Sequence, residues 1–212
     1  MRRSARHGRP LRAGLIALVI LCAAAAVFLR GSRAASARWE ILPPDGFGAD
    51  AVWQIRRGTQ LYEIRSDSAE LYCLSGGVRQ PIHPIQDAEM MTFFVTQVAG
   101  LELPAVVVAD PDGNGFGSIR VYRYDASAEA WRILHILQGG ALLPEAVFYG
   151  HARTNPGGVL EFAQRIPKDM GWEFVLYQAC YDREQERLVV EESERFDGGF
   201  PLWWPDGEPE GG

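Results

Sequence analysis

The chain has 212 residues, with 21 Lys and Arg against 27 Asp and Glu, 47% apolar side chains and only 3 Cys. That apolar fraction excludes a wholly disordered polymer, and so few cysteines exclude a miniprotein held by disulfides. The charge is sharply divided: seven basic residues and no acid precede Arg38, whereas residues 38–212 carry 14 basic and all 27 acidic residues, a formal charge of −13. A basic leader therefore precedes an acidic body, one long enough to bury about 70% of its unfolded surface. Its charge argues against nucleic acid and anionic lipid head groups as partners.

In chain order, residues 1–12 form an arginine-rich segment, and Ala13–Leu29 (AGLIALVILCAAAAVFL) is an uncharged apolar run bounded by Arg12 and Arg30. As a helix this run would extend about 25 Å, and flanking arginines would snorkel to match a hydrocarbon core of roughly 30 Å. The excess of arginine ahead of the run keeps the N-terminus cytoplasmic and sends the acidic body across the membrane. Two fates are open for the leader. It remains as a single-pass anchor, or it is removed after Ala37, where Ala35-Ser36-Ala37 fits the small-x-small pattern of signal cleavage. Arg30 and Arg33, lying between the run and that point, favour the anchor.

Residues 30–50 read as a linker that includes the turn-rich Pro43-Pro44-Asp45-Gly46. From 51 to 199 no sustained helical stripe occurs. Short runs rich in β-branched and aromatic residues predict strands near 51–57, 60–66, 70–75, 91–98, 104–109, 118–125, 131–137, 146–153, 158–166, 172–181 and 187–194. A short helix is expected within 84–91. The class is all-β: an antiparallel, hairpin-rich sheet domain, propeller-like or a barrel or sandwich, behind one N-terminal transmembrane helix. Hairpin turns are expected at Ser66-Asp67-Ser68, Asp125-Ala126-Ser127 and Asp182-Arg183-Glu184. The last two share a pattern, Tyr-Asp, five intervening residues and then a large apolar residue (Tyr124-Asp125 to Trp131, Tyr181-Asp182 to Leu188), which reads more readily as two ordinary hairpins than as a repeat. The unbroken apolar run Leu103–Ala109 predicts a central strand covered on both faces.

That strand leads into Asp110-Pro111-Asp112-Gly113-Asn114-Gly115-Phe116-Gly117-Ser118. Calcium takes six to eight oxygen ligands, and a loop with oxygen side chains at positions 1, 3 and 5, glycine at 6 and a carbonyl at 7 wraps such an ion. Asp110, Asp112, Asn114, the Phe116 carbonyl and Ser118 are the candidate ligands. Val121 stands where an EF-hand has its bidentate acid, so the expected affinity is weak, about 10⁻⁴–10⁻³ M. The alternative is a plain tight turn in which Gly, Asp and Asn satisfy local geometry.

The stretch VVVADPDGNGFGSIRVYRYD resembles the loop-and-hairpin unit of FG-GAP/VCBS-type β-repeats. The resemblance covers about 20 residues and occurs once. It implies an extracytoplasmic β-module that binds carbohydrate or protein, with Asp110, Asp112 and Asn114 at the family's calcium positions. Ser118 stands where that family usually carries an acid.

Cys73 and Cys180 are candidates for a disulfide in an oxidising compartment, or for two separate thiols. His83, between Pro81 and Pro84, is expected in an exposed turn. His135 is expected on a strand face with Trp131, Ile133 and Leu137, and His151 in a polar loop. No histidine pair has metal-ligand spacing, and no nucleophile elbow or phosphate loop is present. The acid-rich stretch 182–197 reads as a solvated hairpin face. The tail 200–212 carries Trp203 and Trp204, which either pack on the body or dock a partner. The expectation is a membrane-tethered, extracytoplasmic binding or accessory module for an envelope protein or glycan, without catalysis. The alternatives are an extracytoplasmic hydrolase acting on glycans and a structural subunit of an envelope complex.

Overall fold

The computed structural model describes residues 38–44, 51–85, 91–111, 116–149, 152–169 and 171–197. The expected transmembrane run 13–29, the cleavage point at Ala37, His151 and the tryptophans Trp203 and Trp204 lie outside them. Among the described residues there are sixteen strands and no helix, and so none long and apolar enough to cross a membrane.

The first sheet is a meander of five strands, β1 (Glu40–Leu42), β2 (Trp53–Arg57), β3 (Gln60–Ser66), β4 (Glu70–Ser75) and β5 (Val78–Pro84), each antiparallel to the next. The expected helix within 84–91 begins on a strand residue, since Pro84 ends β5, and 86–90 lie outside the described residues. Two prolines hide β5 from a sequence reading, yet an edge strand tolerates them because one side of its ladder is unpaired. A bulge sets Leu71 opposite His83 and Tyr72 opposite Pro81, so consecutive residues Ile82 and His83 both turn inward. The expected exposed turn at His83 is therefore corrected: the ring is 8% exposed.

The central sheet contains β6 (Thr92–Thr96), β7 (Ala105–Pro111), β8 (Phe116–Asp125), β9 (Ala130–Leu134) and β12 (Ala146–Tyr149), with β8 pairing β7, β9 and β12. The third sheet is ordered β11 (Ala141–Leu143), β10 (Ile136–Gln138), β16 (Arg187–Asp197), β15 (Gly171–Asp182), β14 (Leu160–Lys168), β13 (Ala152–Thr154). All its pairings are antiparallel except β10 with β16. The chain changes sheets at His135, between β9 and β10, where the His135 carbonyl accepts the Leu188 amide at 2.9 Å. That switch breaks the expected alternation, because Trp131 belongs to one core and Leu134 and Ile136 to the other, and it leaves the His135 side chain exposed.

The three sheets are layered. Val106 and Val108 of β7 pack with Ile55, Ile64, Leu71 and Ile82 of the first sheet. Ala105, Val107 and Ala109 pack with Leu160, Phe162, Ala179 and Leu188 of the third. β7 is thus buried on both faces, as its unbroken apolar run predicts. The thiols of Cys73 and Cys180 are free: Cys73 is sealed in the core between the first and central sheets, whereas Cys180 is exposed on β15. Of the two alternatives open in the sequence, a disulfide or two separate thiols, the structure has the separate thiols. Burial pushes the Cys73 thiol up to about 11, with the Trp131 indole N–H acting weakly in the opposite direction.

Phe148 is 1% exposed and its neighbour on β12, Val147, is 57% exposed. Phe148→Ala should therefore destabilise the fold by about 3–5 kcal/mol, whereas Val147→Ala should stay within about 0.5 kcal/mol. Urea denaturation of the two variants checks the contrast.

Candidate functional site

The Asp110–Ser118 stretch forms the end of the β7–β8 hairpin, with Asp110 opposite Ser118 and Pro111 opposite Gly117. Asp112 and Asn114 lie outside the described residues. Phe116 opens β8 and meets the Tyr149 ring edge-on at 4.9 Å between centroids. Asp110 faces the first sheet and already has a cation: its Oδ2 lies 3.8 Å from Nη1 of Arg120, whose Nη2 pairs with Glu145. Among the described residues no three His, Cys, Asp or Glu side chains cluster as a metal site. Arg120 competes with any ion that Asp110 would share with the loop.

Behind this group, between the first and central layers, His83 Nδ1 and Tyr122 Oη are 2.7 Å apart. Burial pushes the Tyr122 phenol up to about 12, so it stays protonated. Burial first, then the positive charge of Arg120, holds the His83 imidazole below its ordinary 6.5, with Asp110 and Glu145 opposing. A neutral imidazole beside a neutral phenol is the arrangement that costs least between two apolar layers.

At the other end of β7 the chain builds a concave site. Three segments converge there: the β6–β7 loop (97–104), the β8–β9 turn and the β15–β16 turn. They enclose a cleft of about 340 Å³ lined by Glu102, Arg123, Tyr124, Asp125, Tyr181 and Glu186, among others. The two turns are built alike. Asp125 Oδ1 accepts the amides of Ser127 (2.9 Å) and Ala128 (3.2 Å), and Asp182 Oδ1 accepts those of Glu184 (2.9 Å) and Gln185 (3.2 Å). Four residues after each aspartate a glutamate, Glu129 or Glu186, adopts φ 49°. Each loop thereby turns back into its partner strand with its exposed amides satisfied. The Ser127 hydroxyl and the Ala128 amide hold the Asp125 carboxyl below its usual range.

The third wall is pinned by glycine. At Gly100 (φ +89°) an added Cβ would stand 2.9 Å from the Tyr181 carbonyl oxygen, and at Gly158 (φ +79°) it would meet Ala99 N and Gln97 O at 3.0 Å. Ala99 donates to the Gly158 carbonyl at 2.7 Å, which ties the β6–β7 loop to the third sheet. Across the cleft Arg123 donates to Tyr181 Oη at 3.2 Å and to Glu186 at 2.9 Å, and Arg183 donates to Glu102 at 2.8 Å. Tyr124 also belongs to a row of rings packed at the core between the first and central sheets, with centroids 5.7 Å from Trp131 and 6.0 Å from Tyr62, which is itself 5.9 Å from Trp39.

The shared Tyr-Asp pattern marks two of these turns, but in the sequence it reads as two ordinary hairpins and not as a site. The third wall and the convergence of all three depend on sheet order, which the local sequence does not encode. Glu161 also carried no sequence signal. It is 5% exposed and accepts from Arg153, Asn155 and Gln178 at 2.9–3.1 Å, a satisfied carboxylate that anchors β13 and β15 to β14.

Comparison with family models, with curated proteins and with solved structures finds no match for this chain. The cleft is consequently interpreted from its own chemistry.

Because the folded His83 has a depressed pKa, the stability it contributes is fully present above 6.5 and is lost as pH falls from there through the lower folded value. Thermal melts should show that decline, and His83→Gln should flatten it. Asp67, held down to about 2 by the amides of Ala69 and Glu70 and by Arg79, contributes stability that is lost only at more acid pH, below the usual carboxylate range. The His83 decline therefore begins at a higher pH than the Asp67 decline.

Proposed function

We propose that this chain is a membrane-tethered, extracytoplasmic binding module without catalytic activity, which recognises an envelope component through the cleft between the β6–β7 loop and the two Asp turns. The observation that carries this reading is a concave polar site of about 340 Å³, within the roughly 300–1,000 Å³ of small-molecule and cofactor pockets. Its walls are fixed by glycine contacts and satisfied turns, so little ordering entropy opposes binding. Its functional groups are ion pairs and phenols. The His83–Tyr122 pair lies between the layers and is not among the residues lining the cleft. The basic leader and the apolar run 13–29 support the topology.

The hairpin tip at Asp110, Asp112 and Asn114 is the proposed calcium position, stiffening the far end of β7. With a dissociation constant near 0.5 mM, 5 mM calcium would stabilise the fold by about 1.4 kcal/mol, or about 3–6 °C in melting temperature. Asp112→Ala should remove that rise. Identical melts in calcium and in chelator would remove the ion from the proposal.

The topology is tested by a reporter fused behind Gly212. It should report the extracytoplasmic side, and a cytosolic signal overturns the reading. Recognition is tested by retention of envelope components on the immobilised full-length protein. Retention should be specific and should be lost in Arg123→Glu, which sets a third carboxylate beside Glu186 and Asp125. Retention of nothing, or retention unaltered by Arg123→Glu, overturns recognition through the cleft.

A further inference from the structure

We infer that the cleft is a glycan site, built for a neutral, polyhydroxylated ligand. The inference rests on the binding-module reading and gives that site its ligand class. Among the residues lining the cleft, Arg123 pairs with Glu186 and Arg183 with Glu102, so each guanidinium is already engaged by a carboxylate, while Asp125 pairs with Arg132. An anionic ligand would have to displace glutamates and face the remaining acids. A cationic one would face two arginines. Hydroxyl groups fit this surface because each both donates and accepts. Two neighbouring hydroxyls of one sugar ring can span an Arg–Glu pair, one accepting from the guanidinium and the other donating to the carboxylate.

The pairs are suited to such insertion. Glu186, Arg183 and Glu102 side chains are 67%, 78% and 76% exposed, so opening their ion pairs costs little. Arg123, only 26% exposed, is braced by the Tyr181 phenol and forms the fixed point of the site. Among the lining residues Tyr124 and Tyr181 are half-buried, and Tyr124 packs on Tyr62 and Trp131 at the core between the first and central sheets. As lining residues these two phenol rings offer the apolar contact that the C–H face of a pyranose needs. A bound peptide is disfavoured by the same walls. A peptide backbone seeks free strand edges or free amides, but the amides of Ser127, Ala128, Glu184 and Gln185 are taken by Asp125 and Asp182.

The test is equilibrium dialysis of the full-length protein in detergent micelles against four neutral tetrasaccharides (cello-, chito-, manno- and malto-) and their monosaccharides. At least one tetrasaccharide should bind at millimolar concentration or below, and more tightly than its monosaccharide, because the lining carries two separate ion pairs, Arg123–Glu186 and Arg183–Glu102, that different sugar units can span. Arg123→Met and Glu186→Gln should each weaken it about tenfold or more. Glu129→Gln, at the matching position of the other turn but outside the cleft lining, should leave it within twofold, and melting temperatures of all three variants verify that they fold. Failure of all four sugars to bind overturns the proposal, as does binding indifferent to Arg123→Met and Glu186→Gln. If no sugar binds while a peptide or protein is retained and then lost in Arg123→Met, the glycan assignment falls and the binding-module reading survives.

Discussion

Burial of β7 on both faces is the constraint from which the rest of the architecture follows. A strand whose residues 105–108 are all 0% exposed needs an apolar layer above and another below. Here those layers are the five-stranded meander and the third sheet. Only small and β-branched side chains fit: valines toward the first sheet, alternating alanine and valine toward the third. The alanines of β7 leave room for Phe148 and Phe162, the largest side chains fully enclosed in the molecule's described core. Two half-cores share one strand, so neither is complete without it.

The same constraint places the two sites considered for function. Pro104 precedes β7 at the cleft, and Asp110 nears its other end at the hairpin tip. Six residues of strand separate them by about 20 Å. An ion at the tip therefore touches nothing that a ligand in the cleft touches. Coupling between them would have to pass along β7 itself, held at every step by side chains of both neighbouring sheets. An ion bound near Asp110 and a ligand bound in the cleft would therefore act independently.

Much of this was legible residue by residue, and what was not has a physical cause. The continuous apolar run at 103–109 gave the central strand because two-sided burial removes alternation. The Asp turns at 67, 125 and 182 were legible because an aspartate bonding amides two and three residues ahead is a local interaction. β5 was not legible: Pro81 and Pro84 read as turn residues, and the bulge that buries both Ile82 and His83 is set by pairing with β4. His135 was misplaced because the chain leaves one sheet for another at that residue. The cleft was not visible: the shared Tyr-Asp pattern reads as two ordinary hairpins, and closure depends on Gly100 and Gly158 meeting chain far away in sequence. Local chemistry thus announces turns and central strands, whereas convergence of loops belongs to topology.

Where the layers leave room for recognition follows from the same logic. Strand β7 has no free face, and the ladder hydrogen bonds of β7 and β8 are spent on neighbours. Polar groups therefore gather at the ends of the layers, where chain must leave the sheets and backbone amides need partners. Asp125 shows how one residue serves both needs. Its Oδ1 caps the turn while its Oδ2 pairs with Arg132 at 3.1 Å, so the side chain is fixed from two directions. Arg123, two residues earlier on β8, faces the third sheet and is held by Tyr181 of β15. Fixed turns beside exposed, exchangeable ion pairs give a cleft whose frame is rigid and whose polar contacts are free to be traded. That combination suits a ligand offering many weak donors and acceptors better than one offering a single strong charge.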